Sequence, residues 1–524
     1  MTRSRQVTAR RILALGVLGL ALILAPPVSG AEKAPEKRDN SRNVSIRSDS
    51  ELDPIEDGTP RKPSRDVGKV KREQQQLSAL EADPLVYDRD GYTPHDLPAD
   101  RLPYAHDYAR VEDTGLHDEQ GVRMFSFNGQ IWDHPVFQGG WGLRNLSSYR
   151  VTKNQLFLDR AIANAQRNLD RKVESRGAWW YPYDFDLSRC TGRPLLRAPW
   201  SSGMAQGRLL TLFVRLYEVT GDEKWRTAAD YTFASLTLPP DAGAPWASWV
   251  DGEGHFWLEE YPETAAVQGE RVMNGHIAAL YGVYDYWRVT RDARSVEVLD
   301  GAATTVRRYL PVEVRMKRWA SRYSLECPFP HLRYHIIHTA QALSLYDITY
   351  ARTFALTAYL LRSDYPTPAV DGGVRFSAGT HTGYKFDSSG RVVASKSLKL
   401  TRSSGAHADQ RIRVYGRNFY YRITNGAFAG YLVLEEYPRR YLRGKAVEHT
   451  YTPNRTLKFQ PRTYTGYRYA SSGRIVGSKV FTLTRYSTAP LGATAWVNGR
   501  MSYQVTAGVF NGYWLPVTTG LSFG

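Results

Sequence analysis

The chain has 524 residues, longer than the roughly 150 expected of one ordinary domain, so several folded units are expected. It contains two cysteines, Cys190 and Cys327, which exclude a metal site built on several thiolates and allow at most one disulfide. The formal net charge is +17 and is uneven: residues 371–524 hold 22 Lys and Arg against six Asp and Glu, whereas residues 1–370 are nearly neutral.

The amino-terminal segment has the composition of an export signal. Four arginines precede an apolar run over residues 12–28, and Ser29-Gly30-Ala31 suits cleavage before Glu32. A retained membrane anchor is the alternative, but the Ala-Pro-Pro stretch at 25–27 interrupts a run that is already short for a bilayer. We therefore predict a signal peptide over 1–31 and a secreted protein, extracellular or cell-wall associated, without an integral span after cleavage.

Residues 32–103 are predicted to form a disordered linker, because charge runs and scattered prolines leave little apolar area to bury. From 104 to 365 helical periodicity dominates. One apolar stripe is Leu209, Leu212, Phe213, Leu216 and Tyr217, and another is Ile277, Leu280, Tyr281 and Tyr284. Further helices are predicted over 152–172, 222–236, 293–309 and 331–362. Helix pairs with long aromatic loops indicate an α/α barrel or toroid.

After Pro368 the sequence alternates in period two and repeats itself. Thr382-Gly383-Tyr384 returns as Thr465-Gly466-Tyr467, and Leu400-Thr401-Arg402 returns as Leu483-Thr484-Arg485. We predict two small all-β modules, 371–437 and 453–524, in a multidomain chain. Their positive charge suits nucleic acid, acidic glycans and wall polymers alike, and predicted export favours a glycan or cell-wall polyanion over nucleic acid. The oligomeric state is not predicted.

Three segments of the helical region concentrate polar groups: 200–207, 257–266 with Asn274 beyond, and 323–338. On a helix beginning after Pro330, an aromatic and imidazole stripe lies apart from an apolar one, as in a helix that lines a lumen. The spacing of His331, His335 and His338 also allows a metal site. No acidic motif accompanies them, so hydrogen-bonding histidines and no metal are predicted.

These segments, in this order, resemble the C-terminal catalytic region of D-glucuronyl C5-epimerases of heparan sulfate and heparosan type, over about residues 195–350. The match is sharpest at Trp-Leu-Glu-Glu-Tyr-Pro, residues 257–262, followed by Asn274-Gly275. The family pattern Tyr-His-x-x-His is met by residues 334–338, and the upstream family tyrosine by Tyr323.

The resemblance implies that Glu260, Tyr323 and Tyr334 form the acid and base set, with Tyr261 beside them. Glu259 adjoins Glu260, and on an extended chain the two point to opposite sides, so one of them is expected to be structural. The remaining predicted substrate contacts are His335, His338, Glu259, Asn274, Gln206, Arg333 and Arg271.

The chain departs from the family pattern at two positions. The family tyrosine is followed by Asp-Leu-Arg-His, whereas Tyr323 is followed by Ser-Leu-Glu-Cys, and Arg333 stands where the family has an aspartate. A cation for the uronate carboxylate is thus lost at Glu326, and Arg333, Arg322 or Arg271 are the candidates to replace it.

The expected activity is conversion of D-glucuronate to L-iduronate units in an acidic polysaccharide, without a cofactor. The C5 proton is weakly acidic because the adjacent carboxylate is already anionic, so that carboxylate must be neutralised. Inversion needs a base on one face and an acid on the other, and a tyrosine serves as either only if its pKa is lowered by positive charge. We expect Glu260 or Tyr334 to remove the proton and Tyr323 to supply one from the other side, with His335 and His338 orienting or neutralising the substrate.

Three rival functions remain open at this point. A polysaccharide lyase shares the first step, and a non-catalytic cell-wall or glycan-binding protein needs only the basic modules. Hydrolysis by paired carboxylates, such as Asp184 or Asp186 with Glu260, ranks lower because nothing fixes their separation.

Overall fold

A computed structural model describes residues 85–190, 192–366 and 369–523. The predicted signal peptide and the predicted linker up to residue 84 lie outside these residues. Within the described part of the chain, no helix combines the length and the apolar character that crossing a bilayer would require.

Among the described residues, eight helices form four antiparallel hairpins. Their bounds are α1 Pro135–Thr152, α2 Gln155–Asp170, α3 Gly203–Thr220, α4 Glu223–Ser235, α5 Met273–Thr290, α6 Ala293–Tyr309, α7 Leu332–Thr349 and α8 Arg352–Asp364. A π-helical turn, Leu310–Val314, follows α6. Helix α3 packs between α1 and α5, and α5 also packs against α7, so the odd-numbered helices are inner neighbours and each even-numbered helix covers its own partner. The predicted mainly helical region is confirmed.

The two helices of each hairpin are joined by a turn of the same type. Each inner helix ends at a residue in the left-handed conformation: Lys153, Gly221, Arg291 and Tyr350. The next residue is the N-cap of the outer helix. In three of the four turns its side chain accepts a hydrogen bond from a backbone amide in the first turn of that helix. The prediction of one helix over 331–362 is therefore wrong, because the backbone reverses at Tyr350 without a glycine or proline to signal it.

Short antiparallel hairpins occupy the long loops of this region. Their strands are β1 Phe125–Phe127, β2 Gln130–Trp132, β3 Val173–Ser175, β4 Ala178–Trp180, β5 Ser248–Val250 and β6 Phe256–Leu258. Strand β6 is fully buried, and Trp257 on it has no exposed surface. The chain leaves β6 directly into Glu259 and Glu260, so a rigid strand positions both carboxylates.

The carboxy-terminal region forms two seven-stranded antiparallel sheets. The first has the order β13-β7-β10-β11-β12-β8-β9, with strands β7 Ala369–Phe376, β8 Gly379–Phe386, β9 Val392–Leu400, β10 Ser404–Arg413, β11 Phe419–Ile423, β12 Leu432–Leu434 and β13 Arg440–Leu442. The second has the order β16-β15-β19-β18-β17-β14-β20, with strands β14 Lys445–Phe459, β15 Arg462–Tyr469, β16 Ile475–Leu483, β17 Ser487–Val497, β18 Arg500–Val505, β19 Trp514–Pro516 and β20 Leu521–Phe523.

The segment just before the helices is not a linker throughout. Leu97 and Leu102 are buried in the helical core, and the amide of His95 donates to the carbonyl of Ile348. Residues 85–103 thus pack against the helices although they form no regular element. The predicted linker is too long at its carboxyl end, because these apolar side chains find partners that composition alone does not reveal.

The second sheet packs on the last helical hairpin. The Tyr346 hydroxyl donates to the carbonyl of Pro453 at 2.7 Å, and the Tyr503 hydroxyl donates to the side-chain hydroxyl of Tyr359 at 3.4 Å. Leu457 of β14 belongs to the same apolar core as the inner helices. The sheet therefore supports α7, the helix that carries Tyr334.

Candidate active site

The inner helices all begin at one end of the helical array, because each hairpin reverses the chain and the next inner helix runs parallel to the previous one. Helix amino ends carry partial positive charge and free amide groups. Ser202 caps α3 through a hydrogen bond to the Ala205 amide, and His134 caps α1. This end of the array therefore favours an anionic ligand.

A cleft of about 1800 Å³ opens along the inner helices. Its walls are the segment 100–115, one face of each inner helix, and His449 and Thr450 of β14. The volume exceeds the roughly 300–1,000 Å³ of small-molecule pockets, so the cleft suits an extended ligand. Two predicted substrate contacts, Asn274 and Arg333, line it.

Glu260 lies behind this wall, 4 % exposed. Gly275 packs against its carboxyl group so closely that a Cβ atom there would lie 2.2 Å from Oε2. Burial raises the pKa of Glu260 to about 7, and a hydrogen bond with the Tyr261 side chain opposes the rise. Oε2 has no hydrogen-bond partner among the described residues. Glu260 is thus a carboxyl group that exchanges its proton near neutral pH.

Three tyrosines gather beside Glu260. The Tyr323 hydroxyl donates to the Tyr261 hydroxyl at 3.3 Å, and the rings of Tyr323 and Tyr334 lie 4.6 Å apart. Burial, reinforced by the charge of Glu260, raises the pKa of all three phenols. The structure thus brings together the acidic residue and the phenols named from the sequence, although their segments lie more than sixty residues apart.

A small cavity of about 20 Å³ adjoins Glu260 and Tyr261, room for a single water molecule. Tyr183 and His134 line its other side, with the Tyr183 ring stacked on Trp200 at 3.9 Å. Burial lowers the pKa of His134 to about 3, so its imidazole is neutral. Sequence reasoning missed both residues, because they precede the matched segments and carry no motif.

Glu259 points away from this site, which corrects its prediction as a substrate contact. Its carboxylate accepts the amide of Arg271 at 3.0 Å and the side chain of Gln268 at 3.1 Å, and the residue has no exposed surface. Burial raises its pKa to about 8. Adjacent residues on extended backbone face opposite sides, so Glu259 holds the loop while Glu260 faces the phenols.

The Arg271 side chain also has a partner within the protein. Its guanidinium binds the carboxylate of Glu326 at 2.5 Å, so it is not a free cation for a ligand. The neighbouring Cys327 forms a disulfide with Cys190. In the described chain these cysteines and Glu270 are the one group spaced closely enough to share a metal ion, and the disulfide occupies both sulfurs.

Three further predicted contacts are corrected because their polar atoms are enclosed. Gln206 donates to the Trp179 carbonyl and the Ser235 hydroxyl and accepts the Tyr181 amide. His335 is held by the Ser321 hydroxyl and the Leu361 carbonyl, and burial lowers its pKa. His338 has no exposed surface, and burial lowers its pKa to about 3. None of the three side chains reaches the cleft.

The charged residue that sequence reasoning overlooked is Arg208, which follows the Trp-Ser-Ser-Gly-Met-Ala-Gln-Gly segment directly. It lines the cleft together with Met204, one turn earlier on α3. Its positive charge favours the ionised form of Glu260 and so opposes the rise in the pKa of that residue. Its position one turn after a cleft-facing residue was the available signal.

Residues 172–362 match the family described as D-glucuronyl C5-epimerase C-terminus. The D-glucuronyl C5-epimerase of Caenorhabditis elegans is 32% identical over 139 residues, 26% of this chain and 21% of that protein. An uncharacterized protein of Methanocaldococcus jannaschii is 23% identical over 205 residues, 38% of this chain and 63% of that protein. The match thus spans about a fifth of the first of these relatives and less than two thirds of the second.

Two solved structures are also similar. The cellobiose 2-epimerase of Spirochaeta thermophila is 10% identical at a TM-score of 0.36, covering 48% of this chain and 64% of that one. The unsaturated glucuronyl hydrolase of Bacillus sp. GL1 is 15% identical at a TM-score of 0.33, covering 45% and 63%. The family match and the nematode relative show that residues 172–362 are similar to the C-terminal part of D-glucuronyl C5-epimerases.

Proposed function

We propose that the protein is a uronate C5-epimerase that converts D-glucuronate to L-iduronate units within an acidic polysaccharide. The observation that carries the proposal is a buried carboxyl group, Glu260, whose pKa is raised to about 7, beside three phenols. A buried acid with a perturbed pKa is a candidate catalytic group, and Glu260 borders the small cavity behind the cleft wall. The similarity of residues 172–362 to the D-glucuronyl C5-epimerase C-terminus supports the same reaction.

Glu260 acts as the base. Once ionised, a carboxylate with a pKa of about 7 is a stronger base than an ordinary glutamate, and it is still ionised in a useful fraction at neutral pH. Gly275 leaves room for this carboxyl group and for nothing larger at that point. The C5 proton therefore moves to Glu260, and the electron pair is delocalised into the uronate carboxylate.

Tyr323 acts as the acid on the opposite face. The expectation that a phenol serves with a lowered pKa does not fit the site, since burial raises the pKa of each tyrosine. All three phenols are therefore protonated at neutral pH and suit donation. Tyr323 gives its proton to C5 and becomes a phenolate, and Tyr334, whose ring lies against it, holds its orientation.

The site can be reset through Tyr261. The Tyr261 side chain acts on Glu260, whose pKa it lowers, and its hydroxyl accepts a hydrogen bond from the Tyr323 hydroxyl at 3.3 Å. After turnover, Glu260 holds the abstracted proton and Tyr323 lacks one. Transfer from Glu260 to Tyr261, with the Tyr261 proton passing to Tyr323, restores both groups and balances the reaction.

We also propose that the protein acts outside the cell and that its basic sheets bind acidic polymers. Hairpin β15–β16 carries five cations and no carboxylate over residues 462–487. Hairpin β8–β9 carries Lys385, Arg391, Lys396 and Arg402 at positions 83 residues earlier than Arg468, Arg474, Lys479 and Arg485. Each hairpin ends at an exposed edge strand, so both surfaces can contact a polyanion.

Product analysis tests the reaction. The full chain is incubated with a panel of glucuronate-containing polysaccharides, and the products are followed by NMR and ultraviolet absorbance. Iduronate signals without new absorbance are expected. An unsaturated uronate, seen as ultraviolet absorbance, would instead identify a lyase, and polymer binding without either product would identify a non-catalytic glycan-binding protein.

A further inference from the structure

A uronate epimerase must neutralise the substrate carboxylate, because the electron pair released at C5 flows into it. The segment after Tyr323 does not supply that charge here. Glu326 stands there, and it pairs with Arg271 at 2.5 Å, so the two charges cancel each other within the protein. The cation must come from another element.

Arg208 reaches the cleft from α3 through a channel made by two glycines of α1. A Cβ atom at Gly139 would lie 3.1 Å from Cγ of Arg208, and one at Gly140 would lie 3.2 Å from its Nη1. The guanidinium lies 5.4 Å from the centre of the Tyr104 ring, and Nη1 donates to the Val136 carbonyl at 3.4 Å. The side chain is therefore held in a defined position.

The guanidinium of Arg208 forms no ion pair with a carboxylate among the residues that the structure describes. Its buried Nε also has no hydrogen-bond partner there. Arg144 on α1 is a second cation of the same wall. Burial lowers the pKa of Arg144, and the positive charge of Arg208 adds to that effect. The carboxylate of Asp107 interacts with both arginines.

Arg144 also interacts with Asp113, but that carboxylate is paired with Arg123. Arg208 and Arg144, with Asp107 as their shared carboxylate, therefore leave a net positive charge in this partly desolvated part of the cleft. Such an arrangement costs free energy in the empty protein and is offset when an anion enters. Arg208 is also the cation whose charge acts on Glu260. The cleft that Arg208 lines includes Asn274, and the next residue, Gly275, contacts the Glu260 carboxyl group. An anion bound to Arg208 thus lies in the cleft whose wall holds the base.

We infer that Arg208 binds the carboxylate of the uronate whose C5 is inverted, in place of the cation that the chain lacks at position 326, and that it sets the preference for uronate over neutral sugar. This inference rests on the proposed epimerase function. A planar guanidinium matches a carboxylate through two parallel hydrogen bonds, a geometry that lysine cannot reproduce.

The test compares the wild type with Arg208→Gln, Arg208→Lys and Arg333→Gln, each as the full chain. The ligands are a short glucuronate oligosaccharide and the same oligosaccharide with its carboxyl groups reduced to alcohols. Binding is measured by calorimetry and C5 deuterium exchange by NMR. We expect Arg208→Gln to lose roughly 10- to 100-fold in affinity for the acidic ligand and to bind the reduced one unchanged.

Arg208→Lys should recover part of the affinity, and Arg226→Gln, which removes the same charge from the outer helix α4, should behave as the wild type. The inference would be overturned if Arg208→Gln kept the wild-type preference for the acidic over the reduced oligosaccharide, or if Arg333→Gln alone lost that preference. Carboxylate-dependent binding through Arg208 without any exchange in the wild type would instead overturn the epimerase proposal and leave the role of Arg208 standing.

Discussion

The carboxyl group of Glu260 is confined by Gly275 on α5, where a Cβ atom would lie 2.2 Å from Oε2 and 2.7 Å from Cβ of Glu260. Replacing a helical glycine by alanine ordinarily stabilises a helix by about 1 kcal/mol. We predict that Gly275→Ala does the opposite, lowering both the melting temperature and the exchange rate, because the methyl group displaces Glu260. The matched control is Gly252→Ala, where a Cβ atom meets nothing within 4 Å. Equal behaviour of the two variants would contradict the packing described.

The pH dependence of activity should follow Glu260. Below a pKa of about 7 the base is protonated, so the exchange rate is expected to fall about tenfold for each pH unit. The measurement is kcat/KM for C5 exchange from pH 5 to 9. An acid limb centred near 4.5, the value of an ordinary glutamate, would show that the buried carboxyl group is not the base.

Stability should change with pH in the opposite sense. Glu260 is protonated in both the folded and unfolded states below pH 4.5, so its burial costs nothing there. Between pH 4.5 and 7 the unfolded state loses the proton first, and the cost rises to about 3 kcal/mol above pH 7. We therefore predict that Glu260→Gln melts at the wild-type temperature at pH 4 and above it at pH 8. A constant difference across this range would argue against the shifted pKa.

Tyr261 should keep the pKa of the base, Glu260, lower than burial alone would make it. Its hydrogen bond lowers the pKa of Glu260, so Tyr261→Phe is expected to raise that pKa and to move the acid limb of the exchange profile to higher pH. The maximal rate should also fall, because Tyr323 loses the partner at 3.3 Å that returns its proton. Tyr217→Phe, which removes an exposed hydroxyl bonded to Glu223, is the control and should leave the profile in place.

The disulfide should stabilise the segment that carries Tyr323. It joins Cys190 to Cys327 across 137 residues, and closing a loop of that length is worth up to about 5 kcal/mol of unfolding free energy. Replacing both cysteines by serine should lower stability and exchange activity together. A reductant should lower the stability and exchange activity of the wild type and leave those of the double variant unchanged. An equal response of both proteins would show that the disulfide is not the cause.

The basic hairpins should bind polyanions independently of catalysis. Lys396→Gln, Lys399→Gln and Arg402→Gln in one chain are expected to weaken binding to a long acidic polysaccharide and to reduce its dependence on salt. Turnover of short oligosaccharides should be retained. A control chain removes three exposed cations of the helical region, Lys153, Arg197 and Lys224. If both chains lose affinity equally, the hairpins are not a specific surface.

Periodicity predicted the fold wherever one apolar stripe continued without interruption. The helix predicted over 293–309 has those bounds as α6, whereas 331–362 divides at Tyr350. The four inter-helical turns have one geometry, but Gly221-Asp222 alone carries the usual signal for it. At the other three the residue in the left-handed conformation is Lys153, Arg291 or Tyr350, residue types that do not signal such a turn, so single-sequence reasoning cannot detect it.

The candidate site was also predicted only in part. The family motif located Glu260, Tyr323 and Tyr334, which the fold gathers into one cluster. It also named Glu259 and His335, whose polar atoms the protein itself occupies. Whether a polar side chain faces a ligand or the core depends on the partners brought by distant elements, and the sequence does not contain those distances. Arg208 was missed for the same reason.

The central claim is that Glu260 removes the C5 proton of a uronate, and the most direct measurement is deuterium incorporation at that carbon in heavy water. Wild type and Glu260→Gln are incubated with the same glucuronate polymer, with folding verified by their melting curves. The account predicts C5 deuterium in both epimers with the wild type and none above background with a folded Glu260→Gln. Deuterium at C5 at the wild-type rate in that variant would contradict it.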